Sequence, residues 1–189
     1  MEQNSQTHKD ALWHQISEAY GRVVYTYTTH WKTVDRLVKR NRHLKYAQII
    51  LSAISTGGFI GSLITNEVIL TCVGGIFSTV LLALNLYFKD FNANSEIAQH
   101  FATANALWTI REDYISLLTD MPILSEEDIC EKREKLKRKT AEVYKTAPKT
   151  DFKDYKSAQN ALKNEEEQFF SVEELNQMLP MHLRKDNKN

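Results

Sequence analysis

Residues 46–88 read YAQIILSAISTGGFIGSLITNEVILTCVGGIFSTVLLALNLYF, and this stretch decides the fold. Its one charged residue is Glu67, so residues 46–65 and 68–88 form two uncharged runs. A helix of about 20 residues, rising about 1.5 Å per residue, crosses the roughly 30 Å hydrocarbon core of a bilayer. The stretch therefore predicts two transmembrane spans, which a turn at Asn66 and Glu67 joins into an antiparallel hairpin. A hairpin buried inside a soluble helical protein is the alternative that this pattern leaves open.

Basic residues gather on one side of this hairpin. The turn carries only Glu67, whereas the outer ends of both spans adjoin lysines and arginines. These membrane-orienting residues are Arg36, Lys39, Arg40, Arg42, Lys45 and Lys89. The positive-inside rule places this side, and with it both chain termini, in the cytoplasm.

Apolar residues recur at helical spacing on both sides of the hairpin. From Leu12 to Val38 they predict one long amphipathic helix that runs straight into the first span. A break is expected at residues 92–94. The second stripe beyond it consists of Ile97, Phe101, Ala104, Trp108, Ile115 and Leu118. We expect the two stripes to pack together.

Helix stop and start signals divide the C-terminal region. The helix-ending prolines are Pro122, Pro148 and Pro180. Ser125 begins a charged helix, and Ser171 with Glu174 forms a capping box. A further helix is predicted over residues 151–167. The charged helix suits a solvated surface, with contact to lipid headgroups or nucleic acid as the alternative.

These patterns together predict an all-α integral membrane protein, in which long cytoplasmic amphipathic helices flank a two-helix transmembrane hairpin. The chain divides into an N-terminal cytoplasmic helix over residues 1–45, the hairpin over 46–88 and a C-terminal helical region over 89–189.

Catalytic motifs are missing from the sequence. It contains no Walker loop, Rossmann glycine pattern, H-E-x-x-H, C-x-x-C or G-x-S-x-G, and its six histidines are scattered without metal-ligand spacing. The sequence therefore predicts a protein that is not an enzyme and has no catalytic residue, metal site or cofactor. Because 24 basic side chains balance 24 acidic ones, no direct binding to nucleic acid is expected either.

Polar and small residues repeat inside the spans. The candidate pore-lining residues are Gln48, Ser52, Ser55, Ser62, Thr71, Ser78 and Asn85, and the candidate helix-packing residues are Gly57, Gly61, Gly74 and Gly75. Such faces avoid lipid and let helices approach closely. They serve either packing, within the hairpin or between subunits, or the lining of a pore. A single hairpin cannot enclose a channel, so a pore requires several copies.

The order of these segments resembles the SLATT family. The resemblance rests on the amphipathic helix ending in the basic residues 36–45, the hairpin and the alanine-rich helix AQHFATANALW at 98–108, and it covers about residues 10–183. SLATT proteins are two-transmembrane effector domains that associate with second-messenger synthetases and nucleotide-sensing domains.

The resemblance implies an effector of a bacterial anti-phage conflict system. Such an effector oligomerises in the inner membrane and perforates it when a partner protein or nucleotide signal reports infection, so that the infected cell stops phage replication by abortive infection. The implied contacts are membrane lipid, further copies of the chain and a partner such as a nucleotidyltransferase or reverse transcriptase. A non-conducting adaptor that anchors a soluble partner at the membrane, through the charged helices of residues 125–145, is the alternative.

Overall fold

The computed structural model describes residues 2–65, 68–90 and 93–184. Within these ranges the chain is built from helices alone. The α-helices are α1 (Glu2–Thr65), α2 (Val68–Asp90), α3 (Ala93–Asp120), α4 (Glu126–Thr146), α5 (Phe152–Lys163) and α6 (Val172–Met178). Short 3-10 helices cover Met121–Ile123 and Met181–Leu183. The predicted turn at Asn66 and Glu67 and the first residue of the predicted break, Asn92, lie outside the described residues.

The first helix is unbroken from Glu2 to Thr65, a length of 64 residues. At about 1.5 Å per residue it extends about 96 Å. The predicted cytoplasmic helix and the first span are therefore one rod, which confirms that the N-terminal helix runs straight into the membrane segment.

The N-terminal half of α1, outside the predicted span, packs with α3 and α4. Because α3 returns from the membrane, it lies antiparallel to α1. The N-terminal end of α4 lies near Lys9, whose Nζ donates to the carbonyl oxygen of Leu124 at 2.9 Å, and its C-terminal part reaches Thr26, which accepts from Tyr144. The core between the three helices contains Leu12, Ile16, Val23, Leu107, Ile110, Tyr114, Leu117, Met121, Ile129 and Leu136. The predicted association of the α1 and α3 segments is thus confirmed.

The face of α3 that packs on α1 differs from the predicted one. The buried residues of α3 are His100, Thr103, Ala104, Leu107, Ile110, Tyr114 and Leu117. Of the predicted stripe only Ala104 is among them, whereas Phe101 and Trp108 are 44% and 49% exposed. The prediction was wrong about the centre of this face, although Phe101 still meets Trp31 of α1 and Leu118 packs against the core. It failed because α3 is apolar on two faces, and periodicity alone does not tell which of the two meets α1.

Most helix boundaries of the C-terminal region follow their predicted signals. The hydroxyl of Ser125 caps α4, and Ser171 and Glu174 form the capping box of α6. The helix predicted over residues 151–167 is shorter in the structure than expected, because α5 ends at Lys163. Glu166 and Gln168 have φ angles of 51° and 78°, which no helix accommodates.

Helices α1 and α2 pack against each other as a hairpin whose outer surface is apolar. Large apolar side chains are widely exposed on it, and Leu63, Ile64 and Ile69 are 84%, 79% and 72% exposed. Both helices are long and apolar enough to cross a membrane. A hairpin in a soluble core would have these side chains covered, so the surface excludes burial within this chain's own core and suits contact with lipid.

The observed face of α3 predicts unequal effects of two neighbouring substitutions. Leu107→Ala should lower the free energy of unfolding of the monomer in detergent by about 2–4 kcal/mol, because it leaves a cavity in the core. Trp108→Ala should lower it by less than about 1 kcal/mol, because half of that side chain is already exposed. Circular dichroism during thermal unfolding measures both. A larger loss for Trp108→Ala would show that the assigned face is wrong.

Candidate functional site: the hairpin interface and the polar layer below it

Six of the seven candidate pore-lining side chains bond to one another across the hairpin. The amide of Gln48 donates to Asn85 at 2.7 Å, near the end of the spans that adjoins the bundle. The hydroxyls of Ser55 and Ser78 are 2.6 Å apart, and Ser55 also donates to the carbonyl oxygen of Gly74 at 3.2 Å. Near the turn, the hydroxyl of Ser62 bonds to that of Thr71.

These three pairs lie at regular intervals along an antiparallel interface. Each step is seven residues on both helices, which is about two helical turns, or about 10 Å. A polar side chain that points into the hairpin is hidden from lipid and satisfied by its partner, and such a bond between membrane helices contributes about 0.6 kcal/mol. In the single chain, these three hydrogen-bonded pairs therefore stabilise the packing of α1 against α2.

Glycines bring the two spans close together in the middle of this interface. A Cβ atom added to Gly58 would lie 3.3 Å from the Cα of Gly74, and one added to Gly74 would lie 3.3 Å from the carbonyl oxygen of Ser55. A Cβ on Gly61 would meet the Leu70 side chain at 3.4 Å. Gly58 was not among the predicted packing glycines, although its position three residues after Ser55 places it on the same face.

Two of the predicted packing glycines lie away from this contact. Cβ atoms added to Gly57 and Gly75 would meet no described atom within 4 Å beyond their own turns of helix. Gly57 and Ser52, the remaining candidate pore-lining residue, line an open groove together with Lys45 and Thr56. Neither glycine is needed for contact within the hairpin, so each leaves space for a neighbouring helix.

The basic residues below the spans are partly paired with acids of the same chain. Arg36 forms a bidentate contact with Asp154, and Arg40 lies 3.9 Å from Glu96. The side chains of Lys39, Arg42 and Lys45 are exposed. The side chain of Lys89 lies outside the described residues.

A layer of buried polar side chains separates the apolar core of the bundle from the spans. This polar layer consists of Thr28, Thr29, His30, Thr33, His100, Thr103 and Asp154. It joins three helices, because its residues come from α1, α3 and α5. Among the described residues, Ser55 in the hairpin is the only other buried polar side chain.

Two histidines meet in the middle of the polar layer. The Nδ1 atoms of His30 and His100 are 2.8 Å apart, so the N–H of one ring donates a hydrogen bond to the bare nitrogen of the other. Each side chain is 1% exposed. Burial, together with the neighbouring His100, lowers the pKa of His30 from 6.5 to about 4, and burial lowers the pKa of His100 as well. The pair is therefore neutral near pH 7.

Asp154 attaches α5 to α1 at the same level. Its carboxylate accepts two bonds of 2.7 Å from Arg36 and one of 2.9 Å from the hydroxyl of Thr33. Burial alone raises the pKa of Asp154, but the bonds from Arg36 and Thr33 outweigh it and leave the pKa below its ordinary value. The charged carboxylate thus holds α5 against the segment that leads into the first span.

Comparison with known proteins places this architecture in a family. The chain matches the model of the SMODS and SLOG-associating 2TM effector domain family 4 over residues 12–174. This protein is a SLATT effector domain. The match confirms the suspected family, and it covers the bundle, the hairpin and the polar layer together. No curated protein and no solved structure matches the chain.

Membership in the SLATT family establishes the general role of the protein. It is a membrane effector with two spans, of a kind that associates with SMODS and SLOG partners in defence systems, and its family is not one of known enzymes. The two long apolar helices fit the two spans that the family name requires.

The glycine geometry predicts which substitution separates the spans. In a chain whose native cysteines are replaced (Cys72→Ser, Cys130→Ser), the pair Ser55→Cys and Ser78→Cys should form a disulfide across the hairpin. Adding Gly58→Val should reduce its yield severalfold, because the new side chain collides with the backbone at Gly74. Adding Gly57→Val should leave the yield unchanged. Equal yields from the two valine variants would contradict the assigned interface.

The histidine pair predicts a stability that depends on pH. Because the pKa of His30 is about 4 in the fold and 6.5 ordinarily, its neutral form stabilises the fold fully above pH 6.5. This contribution is lost as the pH falls from 6.5 towards 4, at a cost of about 1–3 kcal/mol. Unfolding in denaturant at pH 7.5 and 5.0 measures the loss. The double variant His30→Leu/His100→Leu should lack most of it, and an unchanged loss would exclude the pair as its source.

Proposed function

We propose that this SLATT protein stops phage replication by disrupting the inner membrane of the infected bacterium. A partner protein, such as a nucleotidyltransferase or a reverse transcriptase, or a nucleotide signal acts on the cytoplasmic bundle. The chain then oligomerises with further copies, opens the lipid bilayer and ends the infection by abortive death or dormancy. It acts without catalysis, metal or cofactor and without binding nucleic acid directly.

The observation that carries this proposal is the continuity of α1. The same helix supplies the core of the bundle, the polar layer and the first span, with no break from Glu2 to Thr65. A rearrangement of the bundle therefore turns or shifts the span that is rigidly attached to it. In this proposal, residues 1–45 and 89–189 receive the signal, and residues 46–88 act on the membrane.

The polar pairs of the hairpin suggest what the spans do on activation. In the closed state Gln48, Ser55 and Ser62 bond to partners on α2. When several hairpins assemble, these side chains exchange their partners for water or for another copy and line a shared axis together with Ser52. Gly57 and Gly75, which the hairpin leaves open, pack against the neighbouring copies.

The proposed orientation places both termini in the cytoplasm, where the signal arises. It is supported by the exposed Lys39, Arg42 and Lys45 at the lower end of the first span. The polar layer and the bundle then lie on the cytoplasmic side, within reach of a soluble partner.

An adaptor that recruits a partner without conducting is the second candidate. It is favoured by the exposed apolar side chains near the C-terminal end, since Phe169, Phe170 and Met178 are 58%, 57% and 62% exposed. Exposed aromatic and methionine side chains are typical of protein interfaces.

Membrane potential during infection distinguishes the two functions. Bacteria that express the protein with its neighbouring genes should depolarise after phage challenge, and dye should enter the cells. Replacing residues 46–88 with an unrelated hairpin should abolish both effects and the protection, and Gly57→Leu should abolish depolarisation while the hairpin remains folded. Protection that survives the exchange in cells that stay polarised would overturn the proposal and favour the adaptor.

A further inference from the structure

An apolar face of the cytoplasmic bundle is left uncovered by the described residues. On α3, Phe101 and Trp108 are 44% and 49% exposed. On α1, Trp31 meets Phe101 edge-on, with 5.3 Å between ring centroids, and Val38, two turns further along the helix, is 43% exposed. Ile97 lies one turn before Phe101. We call the surface formed by Trp31, Val38, Ile97, Phe101 and Trp108 the open face.

Grooves lead from the open face towards the membrane, past the basic side chains of Arg42 and Lys45. A groove that begins at Val38 and Ile97 passes Lys45 and Ile49. A second groove shares Lys45 and Ile49 with the first and continues along α1 to Thr56, Gly57 and Ile60. One side of α1 is therefore open from the level of Trp31 to the middle of the first span, a length of about 40 Å.

Elements of the same chain cover other sides of α1. In the membrane, α2 binds at Ser55 and Ser62. Below the membrane, α5 binds at Thr33 and Arg36, and α4 reaches Gln15 through Arg133. At 100° per residue, Trp31, Val38 and Ile49 lie on a side that none of these contacts uses.

We infer that a second copy of this chain covers the open face and the grooves above it. A soluble partner can cover only the part in water, and lipid can cover only the part in the membrane. A partner that covers the open face in water and also the groove in the membrane needs a helix bundle that continues into a membrane span. This chain has that architecture itself. Copies that share one orientation in the membrane are related by an axis perpendicular to it.

The chemistry of the surface suits such an interface at both levels. In water, half-exposed Phe101 and Trp108 are the kind of aromatic anchors that dominate the binding energy of interfaces. In lipid, Ala53, Thr56 and Gly57 allow a second helix to approach closely. The inference rests on the proposed function and names the surface through which the copies of that function assemble.

The mass of the full-length protein in lipid nanodiscs tests the cytoplasmic part of this surface. Wild-type protein should form assemblies at multiples of 21.9 kDa. Phe101→Ser/Trp108→Ser should weaken self-association at least tenfold, with unchanged helical content because neither side chain is buried. Phe152→Ser is the matched control, since Phe152 is 67% exposed but lies on α5. Unchanged assemblies of the double variant, or a monomeric wild type, would overturn the inference.

Cross-linking in bacterial membranes tests the part in lipid without disturbing the core. In the Cys72→Ser/Cys130→Ser background, Thr56→Cys should join copies through a bismaleimide several times more efficiently than Val80→Cys. Both positions are exposed in the single chain, but Val80 lies on α2, outside the grooves. Equal yields would overturn the inference.

The two proposals fail in different ways. Depolarisation by a protein whose Thr56→Cys variant does not cross-link would overturn this surface and leave the membrane-disrupting function in place. Cross-linked copies in cells that remain polarised during infection would support the surface and overturn that function.

Discussion

Inside a bilayer the peptide backbone has no water to bond, so each N–H and C=O group must find its partner within the chain. This constraint forces residues 46–65 and 68–88 into helices, and the rest of the structure depends on it. Because α1 does not stop at the membrane surface, the same hydrogen-bonded ladder continues down to Glu2. The bundle and the first span thereby become a single mechanical element, and α3 and α4 assemble around its lower half.

Polar side chains lie at the two levels where other helices are held against α1. In the hairpin, three pairs of hydroxyl or amide side chains and the contact between Gly58 and Gly74 hold α2 against α1. Below it, the polar layer fastens α3 through the histidine pair and α5 through Asp154. Polar layers fix the register of helices at some expense of stability. In the proposed activation, a rearrangement of the bundle would reach the first span through this layer, which lies directly below it.

Much of this could be predicted from the sequence, because its signals are local. The uncharged runs, the capping box at Ser171 and the prolines depend on neighbouring residues, and the structure agrees with them. The contact between His30 and His100 and the one between Arg36 and Asp154 join residues 70 and 118 positions apart, and no spacing rule predicts such pairs. The face of α3 was misassigned for a related reason, since its second apolar face imitates a core-facing stripe.

A proline at the junction tests the central claim, that α1 transmits the state of the bundle to the spans. Leu44→Pro interrupts the ladder of α1 between Arg36 and the first span at about 3 kcal/mol or more, whereas Leu44→Ala keeps it intact. Membrane potential is measured in phage-challenged cells, after membrane insertion and a folded bundle are verified by protease protection. Transmission through α1 predicts normal depolarisation with Leu44→Ala and none with Leu44→Pro. Full depolarisation with Leu44→Pro would contradict it.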